Sequence, residues 1–249
     1  MIELKSKDEI RKIAESGRMV AAVLKKLKSM VKPGLITQDL DDTARKLTKD
    51  FGARPAFLGY RGYTAAVCVS INEEVVHGFP SKKRILKEGD IVSMDFGVEY
   101  GGYYADAALT AGVGRISDKA QKLMDVTEQS LYKGIEKAAV GYRLHDISAA
   151  VQKHAESNGF SVVRDFVGHG VGRKLHEDPL VPNYGREGTG IFLEAGTVIA
   201  IEPMVNEKGF DVVVLKDEWT VVTKDKGLSA HFEHTVAITE SGPVILTKE

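Results

Sequence analysis

Five residues of the chain have the types and spacing to do chemistry: Asp95, Asp106, His169, Glu202 and Glu233. Four are carboxylates, and all four fall in runs that otherwise read as apolar strands. Asp95 ends Ile91-Val92-Ser93-Met94, Asp106 lies within Tyr103 to Ala111, Glu202 ends Val198-Ile199-Ala200-Ile201, and Glu233 lies within Ala230 to Ile238. Aspartate is a poor strand residue, and a buried, unpaired carboxylate costs several kcal/mol. The first two belong to one hairpin, which turns at Tyr100-Gly101-Gly102. A two-residue loop at Tyr100-Gly101 sets Asp95 directly opposite Asp106, whereas a loop at Gly101-Gly102 moves the pair to a diagonal. Like charges so placed repel unless a shared proton, an arginine or a divalent cation offsets them. A polar, exposed edge would explain one such hairpin, but it does not explain four carboxylates in four apolar strands. Carboxylates gathered with one imidazole suit divalent transition metals. Gly168-His169-Gly170 supplies the imidazole, with glycines that let the backbone come close. Such a set can hold two cations, and two cations a few ångströms apart share a hydroxide that is nucleophilic at neutral pH.

Other motifs fail. His176-Glu177 does not open a zinc-protease HExxH helix, because Leu180 stands at the second histidine position. Arg173 takes the third glycine position of a dinucleotide loop starting at Gly168, and no GxSxG elbow occurs. Cys68 with His77 lacks a third, orienting group, and a buried cysteine is the plainer reading. His145 and His154 fall on polar helix positions and read as solvated.

The elements that must position these groups come twice. Ser6-Lys7-Asp8-Glu9 is a capping box that opens a helix with apolar residues from Ile10 to Val31, stopped by Pro33-Gly34. Thr37 caps a second helix, which Gly52 ends. Ser117 opens a third, running through Leu123, Leu131 and Ile135 toward Gly141, and a fourth runs from about His145 to Asn158. Strand-like runs follow each pair. Sliding the chain by 107 residues lays Gly34 on Gly141, Gly52 on Gly159, Gly78 on Gly185, Gly89 on Gly196 and Gly102 on Gly209. It also lays Gly89 to Asp95 over Gly196 to Glu202: a turn glycine, an apolar run, then a carboxylate. Two helices followed by strands, repeated, predict an α+β fold. The expectation is a single catalytic domain over 1–249, duplicated internally as about 1–110 and 111–249, with the site at the join.

Composition bounds the function. The 249 residues are 43% hydrophobic and 28% charged, enough for a substantial core. Thirty-four basic and 35 acidic side chains leave a net charge of −1, which argues against a dedicated nucleic-acid binder and against a disordered acidic tail. No apolar run reaches membrane-spanning length, and Met1 to Lys5 lacks a signal-peptide core. The single cysteine excludes an intrachain disulfide. A cytoplasmic protein without membrane contact is expected.

The five residues match, in order and spacing, the metal ligands of methionine aminopeptidases, and the chain resembles that family along essentially its whole length. The specific stretches are Cys68 to Pro80, Gly168 to Arg173 running on to His176-Glu177-Asp178-Pro179, Ile201-Glu202-Pro203-Met204, and Phe232-Glu233-His234-Thr235. The 26 residues from His176 to Glu202 leave no room for the type II insertion, so the chain is similar to the bacterial type I enzymes. The resemblance implies the pita-bread fold, with antiparallel sheet covered by helices and two halves related by a pseudo-twofold axis. It implies two divalent cations per chain, cobalt, manganese, iron or zinc, with Asp95 chelating one, His169 and Glu202 on the other, and Asp106 and Glu233 bridging both. It implies that His77 and His176 contact substrate, that Glu202 shuttles a proton, and that Tyr60, Tyr63, Cys68, Leu175 and Trp219 form the methionine pocket. The implied activity is removal of the initiator methionine from nascent polypeptides whose second residue is small, by a monomeric enzyme.

Three positions depart from the family. Phe79 replaces an aliphatic residue, with altered packing expected behind His77. Leu175 replaces an aromatic residue, and His231 stands where glutamine is usual. In a strand His231 and Glu233 share a face, so His231 is expected to orient a ligand. Residues 1–32 hold nine Lys or Arg against four Asp or Glu; this basic helix offers a transient ribosome contact, although a solvated face is the plainer reading. The alternatives are an Xaa-Pro peptidase of the same fold and a non-catalytic ribosome- or RNA-associated protein built on it. The first normally carries an extra amino-terminal domain, and the second has typically lost metal ligands.

Overall fold

The computed structural model describes residues 2–248. Its first half runs α1 (Lys7–Met30), α2 (Thr37–Asp50), β1 (Arg54–Pro55), β2 (Val67–Ile71), β3 (Glu74–Val76), β4 (Ile91–Tyr100) and β5 (Tyr103–Gly112). The second half begins with α3 (Asp118–Ile135), α4 (Leu144–Ser157), β6 (Ser161–Val162), β7 (Gly168–Gly170), β8 (Glu177–Val181) and β9 (Val198–Ile201). It ends with β10 (Met204–Asn206), β11 (Val212–Val214), β12 (Val221–Thr223), β13 (Ser229–His231), β14 (Glu233–Thr239) and β15 (Gly242–Ile245). The α+β class expected from the sequence is the one observed.

Ser6 caps α1 as predicted: its hydroxyl accepts the Glu9 N–H and the Glu9 carboxylate accepts the Ser6 N–H. Ser117 caps α3 by a single bond, its hydroxyl accepting the Ala120 N–H. Thr37 does not cap α2. It is the first helical residue, and its hydroxyl is engaged with the Ser81 backbone instead. The buried stripe of α1, including Ile13, Val20, Val23 and Leu27, packs on β4 and β5. Helices α3 and α4 pack on each other and on the second half's strands.

The offset of 107 residues reappears in the backbone. Ile36 bridges Ile85, and Arg143 bridges Phe192. Thr37 N–H donates to the Arg84 carbonyl at 2.9 Å, and Leu144 N–H to that of Ile191 at 2.9 Å. Asp90 N–H donates to Lys87 at 3.1 Å, and Thr197 N–H to Glu194 at 3.1 Å.

The halves meet in one nine-stranded sheet, where β14 lies between β5 and β9. Ala108 pairs with Glu233 and Ala107 with His234. Beyond these pairs side-chain hydroxyls continue the seam. Thr235 Oγ1 accepts the Asp106 N–H at 3.1 Å and donates to its carbonyl at 2.8 Å. Thr110 Oγ1 accepts the His231 N–H at 2.9 Å and donates to its carbonyl at 2.8 Å. A twofold relation that exchanges Ala108 with Glu233 therefore exchanges Thr110 with Thr235, and Asp106 with His231.

The structure selects one of the two loop registers left open by the sequence and divides one expected strand. Tyr100 pairs with Tyr103, so the β4–β5 loop is Gly101-Gly102, with φ of 60° and 82°. Glycine tolerates both angles. Asp95 consequently faces Ala108, and Asp106 faces Gly97; the carboxylates are diagonal rather than opposed. The run Ala230 to Ile238 is not one strand. It breaks at Phe232 into β13, which belongs to a small sheet with β10 and β6, and β14, which belongs to the large sheet.

Thr235→Val keeps the side-chain shape but leaves the Asp106 amide and carbonyl without their partner. We expect it to lower the unfolding free energy by about 1–3 kcal/mol in urea denaturation, and Thr110→Val to cost a similar amount; wild-type midpoints for both would remove the hydroxyls from the account of the seam.

Candidate metal centre

Asp95 comes from β4, Asp106 from β5, His169 from β7 and Glu233 from β14, while Glu202 directly follows β9. Their side chains line one cavity of about 210 Å³. Ligand atoms of Asp106, His169 and Glu233 lie within 4.8 Å of one another. His169 Nε2 is 3.4 Å from Asp106 Oδ2 and 3.6 Å from Glu202 Oε1. Asp95 lines the same cavity, and its Oδ1 is buried without a hydrogen-bond partner.

The glycines around His169 act as the sequence suggests. A Cβ on Gly168 would run into the Ala200 carbonyl, and one on Gly170 into that of Asp178. The tight backbone lets His169 Nδ1 donate to the Gly170 carbonyl at 2.9 Å. That bond leaves Nε2 facing the carboxylates, as a metal-binding imidazole requires.

Burial and mutual repulsion set the protonation states. Burial raises Asp95 well above the ordinary carboxylate range, and Asp106 and Glu202 add to it. Burial raises Glu233 likewise, with Asp106, Glu202 and Asp95 adding to it. Glu202 is raised by burial to about 8, although His169 opposes the shift. Burial pulls His169 down, but the Asp106 and Glu202 carboxylates and the Gly170 carbonyl outweigh it and hold the imidazole up at about 9. The protein therefore carries protons where a divalent cation would stabilise all the carboxylates at once. An orphaned Asp95 oxygen and an all-oxygen and imidazole donor set fit such cations.

The remaining predicted residues surround this floor. Tyr60, Tyr63, Cys68, His77, Leu175, His176 and Trp219 all line the cavity. Tyr63 stacks on Phe79 with centroids 4.6 Å apart and meets Trp219 edge-on at 5.1 Å. Phe79 packs on Tyr63, and the His77 ring meets Phe166 and Trp219. His77 holds φ at 61°, in the left-handed region that few non-glycine residues adopt and that clusters at functional sites. His176 Nδ1 lies 2.8 Å from the Tyr60 hydroxyl. Burial lowers both His77 and His176 to about 4, with His169 contributing to the second. Cys68 faces Asp95 across β2 and β4, and burial raises its thiol well above its ordinary value, with Asp95 adding to it.

His231 is buried, and its Nε2 lies 3.8 Å from Glu202 Oε2 with no hydrogen-bond partner. It reaches the cluster by the seam's geometry, because the strand that was to align it with Glu233 is interrupted. His145 and His154 lie away from the cavity, bonded to Thr189 and Gln129. Sequence reasoning missed Phe57 and Arg61, which also line the cavity. It also missed Thr235, which bonds Asp106 Oδ1 at 3.2 Å. A threonine two residues after Glu233, on the same strand face, was the available signal for the last.

A raised carboxyl binds its proton more tightly in the folded state, so its contribution is complete below its unfolded value and is lost as pH climbs through the folded one. Glu202, with Asp95 and Glu233, gives this sign, and His169 adds to it between its ordinary value and about 9. The depressed His77 and His176 act oppositely but have finished titrating by neutral pH. The metal-free protein should therefore lose roughly 3–10 °C of Tm between about pH 7 and pH 9. Saturating Mn(II) should flatten the slope, and parallel slopes with and without Mn(II) would contradict the proton inventory.

A profile of metallopeptidase family M24 matches residues 11–240. A methionine aminopeptidase of Clostridium perfringens (strain 13 / Type A) is 54% identical over 247 residues, 99% of each chain. Methionine aminopeptidase 1 of Bacillus subtilis (strain 168) is 51% identical over 248 residues, 100% of each chain. The crystal structure of a methionine aminopeptidase from Thermotoga maritima, 49% identical, superimposes with a TM-score of 0.98 over 100% of both chains.

Proposed function

The chain belongs to metallopeptidase family M24, and from that membership and its buried cluster we propose that it is a methionine aminopeptidase that removes the initiator methionine from nascent polypeptides with a small second residue. The observation that carries this reading is the convergence of Asp95, Asp106, His169, Glu202 and Glu233 on the floor of a cavity walled by Tyr63, Cys68, Leu175 and Trp219. Membership implies divalent metal use. Asp95, Asp106, His169, Glu202 and Glu233 would hold two such cations, cobalt, manganese, iron or zinc. Bound there, the cations supply a nucleophilic water at neutral pH and polarise the scissile carbonyl.

The chain's own residues do the rest. Methionine enters the apolar wall, where sulfur–aromatic contacts with Tyr63 and Trp219 contribute about 0.3–1.5 kcal/mol each. His77 and His176, both neutral at physiological pH, hydrogen-bond the scissile amide. The Tyr60 hydroxyl fixes Nδ1 of His176 and leaves its Nε2 to stabilise the developing oxyanion. Glu202 takes the proton of the attacking water and returns it to the leaving amine. His231 is read as a positioning residue that presents an N–H toward Glu202.

No helix among the described residues is long and apolar enough to cross a membrane. The cationic side of α1 is read as a solvated face. Lys5, counted among its charges, is buried against Glu177, and Arg11 is paired with Asp8.

The Mn(II)- or Co(II)-loaded protein should release methionine from Met-Ala-Ser and leave Met-Leu-Ser, Leu-Ala-Ser and Ala-Pro-Ser largely intact, as read by mass spectrometry. Cleavage of Ala-Pro-Ser alone would reassign the substrate to an Xaa-Pro peptide, and cleavage of none with metal bound would point to a binding role. His231→Leu preserves volume but removes the N–H. It should weaken metal affinity by about 10- to 100-fold in a chelator competition, with His231→Gln recovering most of the loss; equal affinity in all three proteins would leave Glu202 without this support.

A further inference from the structure

A second cavity, of about 640 Å³, opens beside the metal centre and shares Arg61, His169 and His176 with the first. An aminopeptidase buries the amino-terminal residue of its substrate, so the rest of the peptide must leave past the groups that hold the scissile amide. His176 stands at that boundary, exposed, with its ring centroid 4.2 Å from that of His169. A peptide leaving there enters the outer cleft.

The carboxylates of this cleft are already engaged. Glu177 accepts from Lys5 Nζ at 2.7 Å and from the Lys174 N–H at 2.9 Å. Glu3 lies 3.3 Å from Lys5 Nζ, and Asp178 has a partner as well. Of the cations, Arg173 is paired with Glu9 at 3.1 Å. Arg61 and Lys174 are exposed and form no ion pair among the described residues. Arg61 lies in a left-handed bend, φ 48°, between Gly59 and Gly62, which carries its guanidinium to 5.4 Å from the Tyr60 ring. The same Tyr60 holds His176. One unpaired cation thus borders the reacting amide, and a second stands on the wall of the outgoing path.

We propose that this outer cleft binds the substrate beyond its second residue and that Arg61 and Lys174 make it selective for a carboxylate there. The carboxylate is an acidic side chain at the third to fifth position, or the terminal carboxylate of a short peptide. The proposal rests on the methionine aminopeptidase reading, and its test separates the two.

The probes are the amidated peptides Met-Ala-Ser-Asp-Asp-Gly, Met-Ala-Ser-Asn-Asn-Gly and Met-Ala-Ser-Lys-Lys-Gly, with Met-Ala-Ser in free-acid and amidated forms. Methionine release by the Mn(II)-loaded enzyme gives kcat/KM, and anisotropy of carboxy-terminally labelled hexapeptides on the metal-free protein gives affinity. The Asp peptide should exceed the Asn peptide by about two- to tenfold in both readouts, with the Lys peptide lowest, and the ranking should shrink at about 0.5 M salt. Lys174→Glu and Arg61→Glu should each reverse the Asp-to-Lys ratio. A preference confined to free-acid Met-Ala-Ser assigns the recognised carboxylate to the chain end. Equal values for the three hexapeptides together with equal values for free-acid and amidated Met-Ala-Ser, or a preference unchanged in both variants, overturn the proposal. If the affinity ranking holds while no peptide loses methionine, the cleft assignment stands and the methionine reading falls.

Discussion

Repulsion among buried carboxylates is the constraint around which the molecule is arranged. Asp95, Asp106, Glu202 and Glu233 share one small cavity with a single imidazole, and no packing of apolar neighbours could make four negative charges comfortable there. The fold answers locally in two ways. It keeps protons on Asp95, Glu202 and Glu233 by burial, and it sets the raised His169 against Asp106. Both answers are provisional, because a proton is a poor substitute for the charge and the coordination number of a divalent cation.

Holding the carboxylates at this spacing requires a rigid seam between the halves, and the seam is symmetric in backbone but not in chemistry. Thr110 and Thr235 play identical parts on opposite sides of it. The residues they hold differ: Asp106 on one side, His231 on the other. Glu233 likewise has Ala108 as its counterpart, whereas Asp95 and Glu202 keep the same character in both halves. A strictly twofold molecule would place its acids in mirrored pairs. Replacing two of the four mirrored positions concentrates the acids around one point and leaves a neutral imidazole where a further carboxylate would raise the repulsion.

Much of this was legible in residues alone. The 107-residue offset, the caps at Ser6 and Ser117, the strands that carry Asp95, Asp106 and Glu202, and the glycines around His169 all express local rules that tertiary structure did not override. What was hidden depended on pairings between distant segments. The register of β4 against β5 turned on which two of three adjacent residues would form the loop, a choice that left-handed backbone at Gly101 and Gly102 decides. The break at Phe232 was invisible because an apolar, β-branched run looks the same whether its two ends join one sheet or two. Thr37 offered a perfect cap and was taken by Ser81, which lies 44 positions away in the chain. Arg61 carried no signal of its own until the bend at Gly59 to Gly62 gave it neighbours.

The insertion of β14 between β5 and β9 has a consequence in time. During synthesis the acids of the first half are made long before their last companion, since Glu233 pairs with Ala108 only after nearly the whole chain exists. Closing such a distant pairing is slow relative to forming the helices and the β4–β5 hairpin. A cation met early finds only part of its donor set, with Asp95 and Asp106 present before Glu233 has joined them. The complete donor set exists only once the seam between β5 and β14 has closed.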